Sequence, residues 1–297
     1  MKFRLFTLFC LAASLAAGAE PLVERIHSLD PGNYRDLKAV HAGAGTMQFG
    51  ELLPGGSIHQ LRFVHRGVVH AKSGIGHHMH NSTEEMFVIF GGTVQFTIDG
   101  HTAETEGPVG VPVRLGQAHA LYNAGDTPVQ WMNISVGRSD MPTLGRGDDP
   151  TGSVDLGDDR VGAPLSRVPE FLTAPFDRAK LRPMTNMHGG QGTVSYARKI
   201  GPSFFRTNWA YVDHLLVPPG ASVGKHIHNG VEEFYYVMNG SGEITVNDET
   251  APVKAGDTIP LLAREAHGLA NNGSEPLEVI IIGVAFHKGV LDTSDAQ

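Results

Sequence analysis

The sequence predicts an all-β protein built as two tandem barrels or sandwiches. Three observations carry that expectation: an internal repeat, short strand-and-turn runs in both copies, and a high content of chain-bending residues. The 297 residues include 37 Gly and 18 Pro, well above average usage and unfavourable to a helical bundle. The repeat is the strongest of the three signals. His78, His80, Glu85, Gly92, Pro112, His119, Asn123, Gly125 and Pro128 reappear 148 positions later as His226, His228, Glu233, Gly240, Pro260, His267, Asn271, Gly273 and Pro276. Upstream the offset is 147, where Asp30, Arg35, His41, Gly43, Gly45, Thr46 and Phe49 answer to Asp177, Arg182, His188, Gly190, Gly192, Thr193 and Tyr196.

In chain order, residues 1–19 precede the fold. Lys2 and Arg4 form a basic start, Leu5 to Leu15 an apolar centre, and Ala17-Gly18-Ala19 a small-residue cleavage site, the pattern of a secretory signal peptide. The apolar run is shorter than the roughly 20 residues that span a bilayer, and no other segment reaches that length. No twin-arginine pair is present, so the expected route passes unfolded chains and metal loads outside the cytoplasm. Cys10, the single cysteine, lies in this segment. The mature chain is therefore expected to lack disulfides, thiolate ligands and a Cys nucleophile. Losing Lys2 and Arg4 takes the formal charge of −8 to −10, which argues against nucleic acid as a partner. A soluble periplasmic or secreted protein acting on a small molecule is expected, with no membrane partner after cleavage; a homo-oligomer is compatible with this.

The repeats set an N-terminal domain at 20–139, a connection at 140–176 and a C-terminal domain at 177–297. The connection is rich in Gly, Asp and Pro, as in Gly147-Asp148-Asp149-Pro150. It reads as a solvated linker, since its acidic spacing does not match an EF-hand loop, with a short helix near 167–172. Within the first repeat, Glu85 to Phe90 runs into Gly91-Gly92, and Thr93 to Ile98 into Asp99-Gly100, a strand-and-hairpin signature. The second repeat matches it with Glu233 to Met238, Asn239-Gly240, and Glu243 to Asp248.

Residues two apart on a strand share a face, so His78 and His80 point the same way, as do His226 and His228. A carboxylate follows five residues after each pair, Glu85 and Glu233, and a further histidine lies on a later strand, His119 and His267. The order His-x-His-x4-Glu-x6-Gly, then Pro and His-x3-Asn, resembles the two signature motifs of the cupin superfamily. The first motif is complete in the second repeat, from Gly220 to Gly240. In the first repeat Lys72 stands at the opening glycine. In the later motif Arg264 and Pro108 stand where glycines are expected, which bears on turn geometry and not on the ligands.

The resemblance covers nearly all of the mature chain and implies a bicupin: two double-stranded β-helix barrels, each with a metal inside. It places ligand roles on His78, His80, Glu85 and His119 in one domain and on His226, His228, Glu233 and His267 in the other, with Asn123 and Asn271 structural. Three imidazoles and a carboxylate suit a first-row divalent ion such as Mn, Fe, Co, Ni, Cu or Zn, up to two per chain. Four protein ligands on an octahedral ion leave two positions for water, a chelating substrate or dioxygen; a closed tetrahedral zinc would only staple the barrel.

Around these groups, Glu84 and Glu232 are expected to point away from the sites as solvated or supporting residues, and His77 to lie on the surface. Arg62, His65 and His70 in the first half, against Trp209, Tyr211, Asp213 and His214 in the second, make the halves unequal. Arg62 reads as a surface charge and Trp209 and Tyr211 as core, with His65, Asp213 or Tyr211 open as acid or base. No catalytic residue is assigned. The ligand set resembles those of oxalate decarboxylases and flavonol-cleaving dioxygenases, implying dioxygenase or decarboxylase chemistry on a small hydroxylated or carboxylated compound. Two alternatives stand beside it: a redox-neutral isomerase, epimerase or lyase on a sugar or sugar acid, and a non-catalytic metal- or ligand-binding cupin.

Overall fold

The computed structural model describes residues 20–138 and 152–296; the expected signal peptide and the Gly147 to Pro150 run lie outside the described residues. The first half holds β1 (Arg35–Lys38), β2 (Thr46–Pro54), β3 (Leu61–Val69), β4 (Ser73–His80), β5 (Thr83–Ile89) and β6 (Thr93–Ile98). It continues with β7 (His101–Glu106), β8 (Val109–Val113), β9 (His119–Asn123), β10 (Val129–Gly137), β11 (Ser153–Asp155) and β12 (Ala174–Pro175). The second half holds β13 (Arg182–Thr185), β14 (Thr193–Ile200), β15 (Trp209–Val217), β16 (Ser222–Ile227), β17 (Val231–Asn239) and β18 (Ser241–Val246). It ends with β19 (Glu249–Lys254), β20 (Thr258–Leu261), β21 (His267–Ala270), β22 (Leu277–Ala285) and β23 (Ser294–Asp295).

Each half is two facing antiparallel sheets. The order is β1-β2-β3-β10-β5-β8-β12 over β11-β4-β9-β6-β7 in the first, and β13-β14-β15-β22-β17-β20 over β19-β18-β21-β16-β23 in the second. The glycines after β5 mark a change of sheet, because β5 and β6 belong to different sheets. The hairpin proper is β6–β7, turned by Asp99 and Gly100, both with positive φ, as a tight two-residue loop requires.

The larger sheets have two apolar faces. On β5, Phe87 and Ile89 pack inside their own barrel with Phe96, Leu121 and Trp131. Met86 and Val88 face the other way, into a shared core with Trp209, Phe234, Ile280 and Ile282 of the second half. That double burial explains why β5 and β22 are buried along their whole length, as strands covered on both sides must be.

Two devices lock the halves together. The first is a reciprocal exchange of edge segments: Ala174 pairs with Gly110 on β8, while His27 bridges Thr258 on β20. Residues 22–27, expected within the N-terminal domain, thus pack on the C-terminal one, with Leu22 in its core and Arg25 forked onto Glu265 at 2.7 Å. The second device overturns the solvated reading of Glu84 and Glu232. Strand alternation does turn Glu84 away from its barrel, but that face meets the other domain. Fully buried, Glu84 accepts from the Arg206 and Thr207 amides at 2.9 and 2.6 Å, from Thr207 Oγ1 at 2.7 Å and from Leu115 N at 3.1 Å. Glu232 returns the contact, accepting from His59 N at 2.7 Å.

The connection is likewise no free linker over its described part. β11 pairs with β4, Arg160 donates to Gly100 O, and Phe171 packs against the first core. Residues 167–172 form bends instead of the expected helix. Arg62, expected on the surface, is buried with its guanidinium over Gly137. Two of the three substituted motif glycines keep the glycine conformation: Lys72 and Arg264 have φ of 55° and 69°, matching Gly220 and Gly116 at 78° and 79°, whereas Pro108 does not share the positive φ of Gly256.

Removing the Glu84 carboxylate leaves several buried donors without an acceptor. Glu84→Ala is therefore expected to destabilise the fold by about 3 kcal/mol, more than Glu232→Ala, as read from chemical denaturation; equal, negligible effects would contradict the staple.

Candidate metal centres

In both halves the ligand strand carries a β-bulge just before the first histidine, between Ile75 and His78 and between Val223 and His226. Such bulges re-aim side chains. Here they bring His78 opposite His119 on β9 and His226 opposite His267 on β21. Gly76 and Gly224 sit in the bulges because a turn packs directly on them: a Cβ would meet His41 O at 2.0 Å and His188 O at 1.9 Å.

The eight sequence-nominated residues form two buried groups, His78, His80, Glu85 and His119, and His226, His228, Glu233 and His267, with the donor atoms of each group within 4.8 Å of one another. Glu85 Oε2 lies 3.4 Å from His80 Nε2 and 3.5 Å from His119 Nε2. Glu233 Oε2 lies 3.0 Å from His267 Nε2 and 3.6 Å from His228 Nε2.

Backbone carbonyls decide the tautomers. A carbonyl only accepts, so each Nδ1 facing one must carry the proton. His78 donates to Gly76 O at 2.8 Å, His119 to Gln117 O at 3.2 Å, His226 to Gly224 O at 3.1 Å and His267 to Glu265 O at 3.0 Å. His228 does the same to Asp292 O. In the neutral ring each Nε2 then presents a lone pair to the carboxylate. This orientation of a ligating imidazole by a bond at its other nitrogen is typical of metal sites.

Electrostatics agree with that assignment. Burial, reinforced by neighbouring imidazoles, pushes His78 far below the ordinary histidine value and His226 down to about 3. Burial likewise lowers His119, against the pull of Glu85. Burial alone would raise the carboxylates, but the facing histidines prevail, holding Glu85 well below the usual range and Glu233 down to about 2. Inward-facing imidazole nitrogens and an ionised carboxylate, all buried, form a donor set suited to a cation. Ligand atoms on one ion at about 2.1 Å lie roughly 3 to 4 Å apart, close to the spacing found. The donors fit one divalent transition ion per half.

Sequence reasoning missed a fourth histidine at each centre. His41 stacks on His78 with ring centroids 3.8 Å apart, and His188 on His226 at 4.2 Å. Both have φ of 51°, and both Nδ1 atoms meet an aspartate from the strand laid beside the ligand strand: Asp155 on β11 at 2.6 Å and Asp295 on β23 at 2.8 Å. Their recurrence at the 147 offset was the available signal. His77 lies largely covered against Asp158 at 3.0 Å.

Other nominated residues serve structure. Asn123 donates to Thr127 O at 2.8 Å and Asn271 to Glu275 O at 2.8 Å, closing turns. Trp209 is core. Buried His214 meets Glu278 at 2.8 Å, outside both groups. Asp213 accepts from Tyr196 at 2.7 Å and Arg198 at 2.9 Å. Tyr211 is not mere core: its hydroxyl donates to Glu233 Oε1 at 2.7 Å. Burial first, and Glu233 second, push that phenol well above its ordinary value, so it remains a donor.

Comparison with known proteins agrees with this geometry. The cupin domain family matches residues 213–283. An oxalate-binding protein of Thermotoga maritima is 33% identical over 99 residues, spanning 33% of this chain and 82% of the relative. The chain belongs to the cupin superfamily. Among solved structures, this bicupin is similar to oxalate decarboxylase from Bacillus subtilis, with TM-score 0.61 and 14% identity over 91% of this chain and 78% of that one. It is also similar to oxalate decarboxylase from Lactobacillus farciminis, with TM-score 0.60 and 14% identity over 91% and 88%. A further structure of the Bacillus enzyme, TM-score 0.59 and 17% identity over 91% and 79%, is described by its Mn(II) centres. At these identities the structural likeness establishes the two-barrel fold.

Elemental analysis of metal-loaded protein tests the ligand sets. His226→Ala or His267→Ala should remove one metal equivalent per chain and His78→Ala or His119→Ala the other, each lowering the melting temperature because metal binds only the folded form; unchanged metal content would refute the assignment.

Proposed function

We propose that this chain is an exported, metal-dependent enzyme of decarboxylase type acting on a small carboxylate such as oxalate. The observation that carries the reading is the pair of dry three-histidine, one-glutamate groups, each leaving two positions of an octahedral ion for a chelating ligand. The oxalate named for the Thermotoga relative supplies the candidate substrate. A 1,2-dicarboxylate can bind one ion through two oxygens, the number of positions that four protein ligands would leave on a six-coordinate ion.

A divalent ion held by His78, His80, Glu85 and His119, or by the second group, would act as a Lewis acid on the bound carboxylate. The chain supplies the rest. Backbone carbonyls hold the imidazoles so that no reorganisation accompanies binding. His41 and His188, largely covered, stack on His78 and His226 and fix their ring planes. The apolar barrel interior keeps bulk water from the groups. Residues 1–19 support export to the periplasm or beyond, and among the described residues no helix is long and apolar enough to cross a membrane.

Similarity to an oxalate-binding protein favours a second reading, in which the chain binds the same class of acid without turning it over. Incubating Mn(II)-loaded protein with 13C-oxalate and a panel of small hydroxy and dicarboxylic acids, while recording carbon dioxide, formate and dissolved oxygen, separates the two. The enzyme reading expects carbon dioxide and formate in equal amounts with no net oxygen consumption. Saturable binding without product would replace it with the binding reading, and stoichiometric oxygen uptake would move it to oxidative chemistry.

A further inference from the structure

The two centres share their ligands but not the groups that hold the ligand carboxylate. In the C-terminal half, Tyr211 on β15 donates to Glu233 Oε1 at 2.7 Å, leaving Oε2 to face His267 and His228. Room for the phenol ring comes from its cross-strand partner Gly283, where a Cβ would meet ring atoms at 2.5 Å. In the N-terminal half the corresponding pair is Phe63 and Ser135. Phe63 has no hydroxyl, and its ring stacks on His65 at 3.9 Å. The carboxylate is held instead by Asn133 on β10, whose amide donates to Glu85 Oε2 at 3.1 Å, the same oxygen that faces His80 and His119. The position matching Asn133 in the second half is the apolar Ile281. Tyr211 with Gly283 and Ile281, against Phe63 with Ser135 and Asn133, is thus a coordinated exchange that moves the supporting donor from one carboxylate oxygen to the other.

The chemical consequence follows from which oxygen is engaged. A donor on the far oxygen fixes the carboxylate's rotation and confines it to binding through one atom, whose charge stays available to the ion. A donor on the near oxygen competes with the ion for that charge. Groups of this kind typically change metal affinity by about 10- to 100-fold.

We propose that the two centres are inequivalent toward metal, with Tyr211 the positioning residue that makes the C-terminal centre the tighter one and restricts Glu233 to one-oxygen coordination. This rests on the metal-binding reading of both groups but not on any turnover, so its failure is distinct from failure of the enzymatic proposal.

The test uses full-length chain and Mn(II) alone, with His78→Ala isolating the C-terminal centre and His226→Ala the N-terminal one. Free Mn(II) is followed by electron paramagnetic resonance during titration, and the bound ion by its fine structure. The C-terminal centre is expected to bind about tenfold more tightly. In the first background Tyr211→Phe should weaken binding about tenfold and alter the fine structure, whereas Asn133→Leu should do neither. Gly283→Ala, which displaces the ring without touching the hydroxyl, should reproduce the Tyr211→Phe effect should that variant fold poorly. Equal affinities in the two backgrounds, absence of binding in both, or a Tyr211→Phe change within twofold and with unaltered fine structure would overturn the proposal.

Discussion

The structure depends on one electrostatic constraint: in each barrel, inward-facing nitrogen lone pairs share a dry space with an ionised carboxylate. Backbone carbonyls claim the Nδ1 protons of His78, His119, His226, His228 and His267, so neutral rings cannot also donate to the glutamate. A nitrogen lone pair 3.0 Å from a carboxylate oxygen, as between His267 and Glu233, is repulsive unless a cation lies between them. A proton could serve, but burial disfavours charging His78, His119 and His226. A divalent ion satisfies every donor at once. The bulges, the glycines beneath the His41 and His188 turns, and the flanking strands β11 and β23 all act to hold this arrangement.

The second organising feature is a sheet buried on both faces. Because each large sheet packs into its own barrel and against its counterpart, the residue preceding each ligand glutamate faces the other half, with Glu84 fully buried and Glu232 partly so. Glu84 survives there because backbone amides and a threonine hydroxyl of the other half satisfy its charge. A buried carboxylate stripped of such partners would be strongly unfavourable. The same strand thus carries metal binding on one face and domain association on the other, coupling the shape of the centre to the interface.

Much of this was legible in the sequence. The 148-residue repeat announces two copies of one fold, and strand alternation separates Glu85 from Glu84 and Glu233 from Glu232. The eight ligand candidates follow from spacing and resemblance. What stayed hidden depends on partners distant in sequence. Alternation shows that Glu84 leaves the barrel, not that a second sheet waits there. Asn133 lies in an apolar strand with no motif to mark it, and its role exists only through register with Glu85. Tyr211 looks like core until Gly283, on a neighbouring strand, is seen to clear its path. His41 and His188 stood in the repeat, but their stacking depends on a left-handed turn that spacing does not reveal. The connection looked solvated because its composition is polar; two of its described aspartates, Asp155 and Asp158, pair with His41 and His77.

The central claim is that each quartet holds one divalent ion, and anomalous diffraction from crystals grown with Mn(II) tests it most directly. The account predicts two strong peaks per chain, each about 2.0 to 2.3 Å from three Nε2 atoms and a carboxylate oxygen. Peaks confined to surface carboxylates, or quartets closed by direct hydrogen bonds with no ion among them, would contradict it.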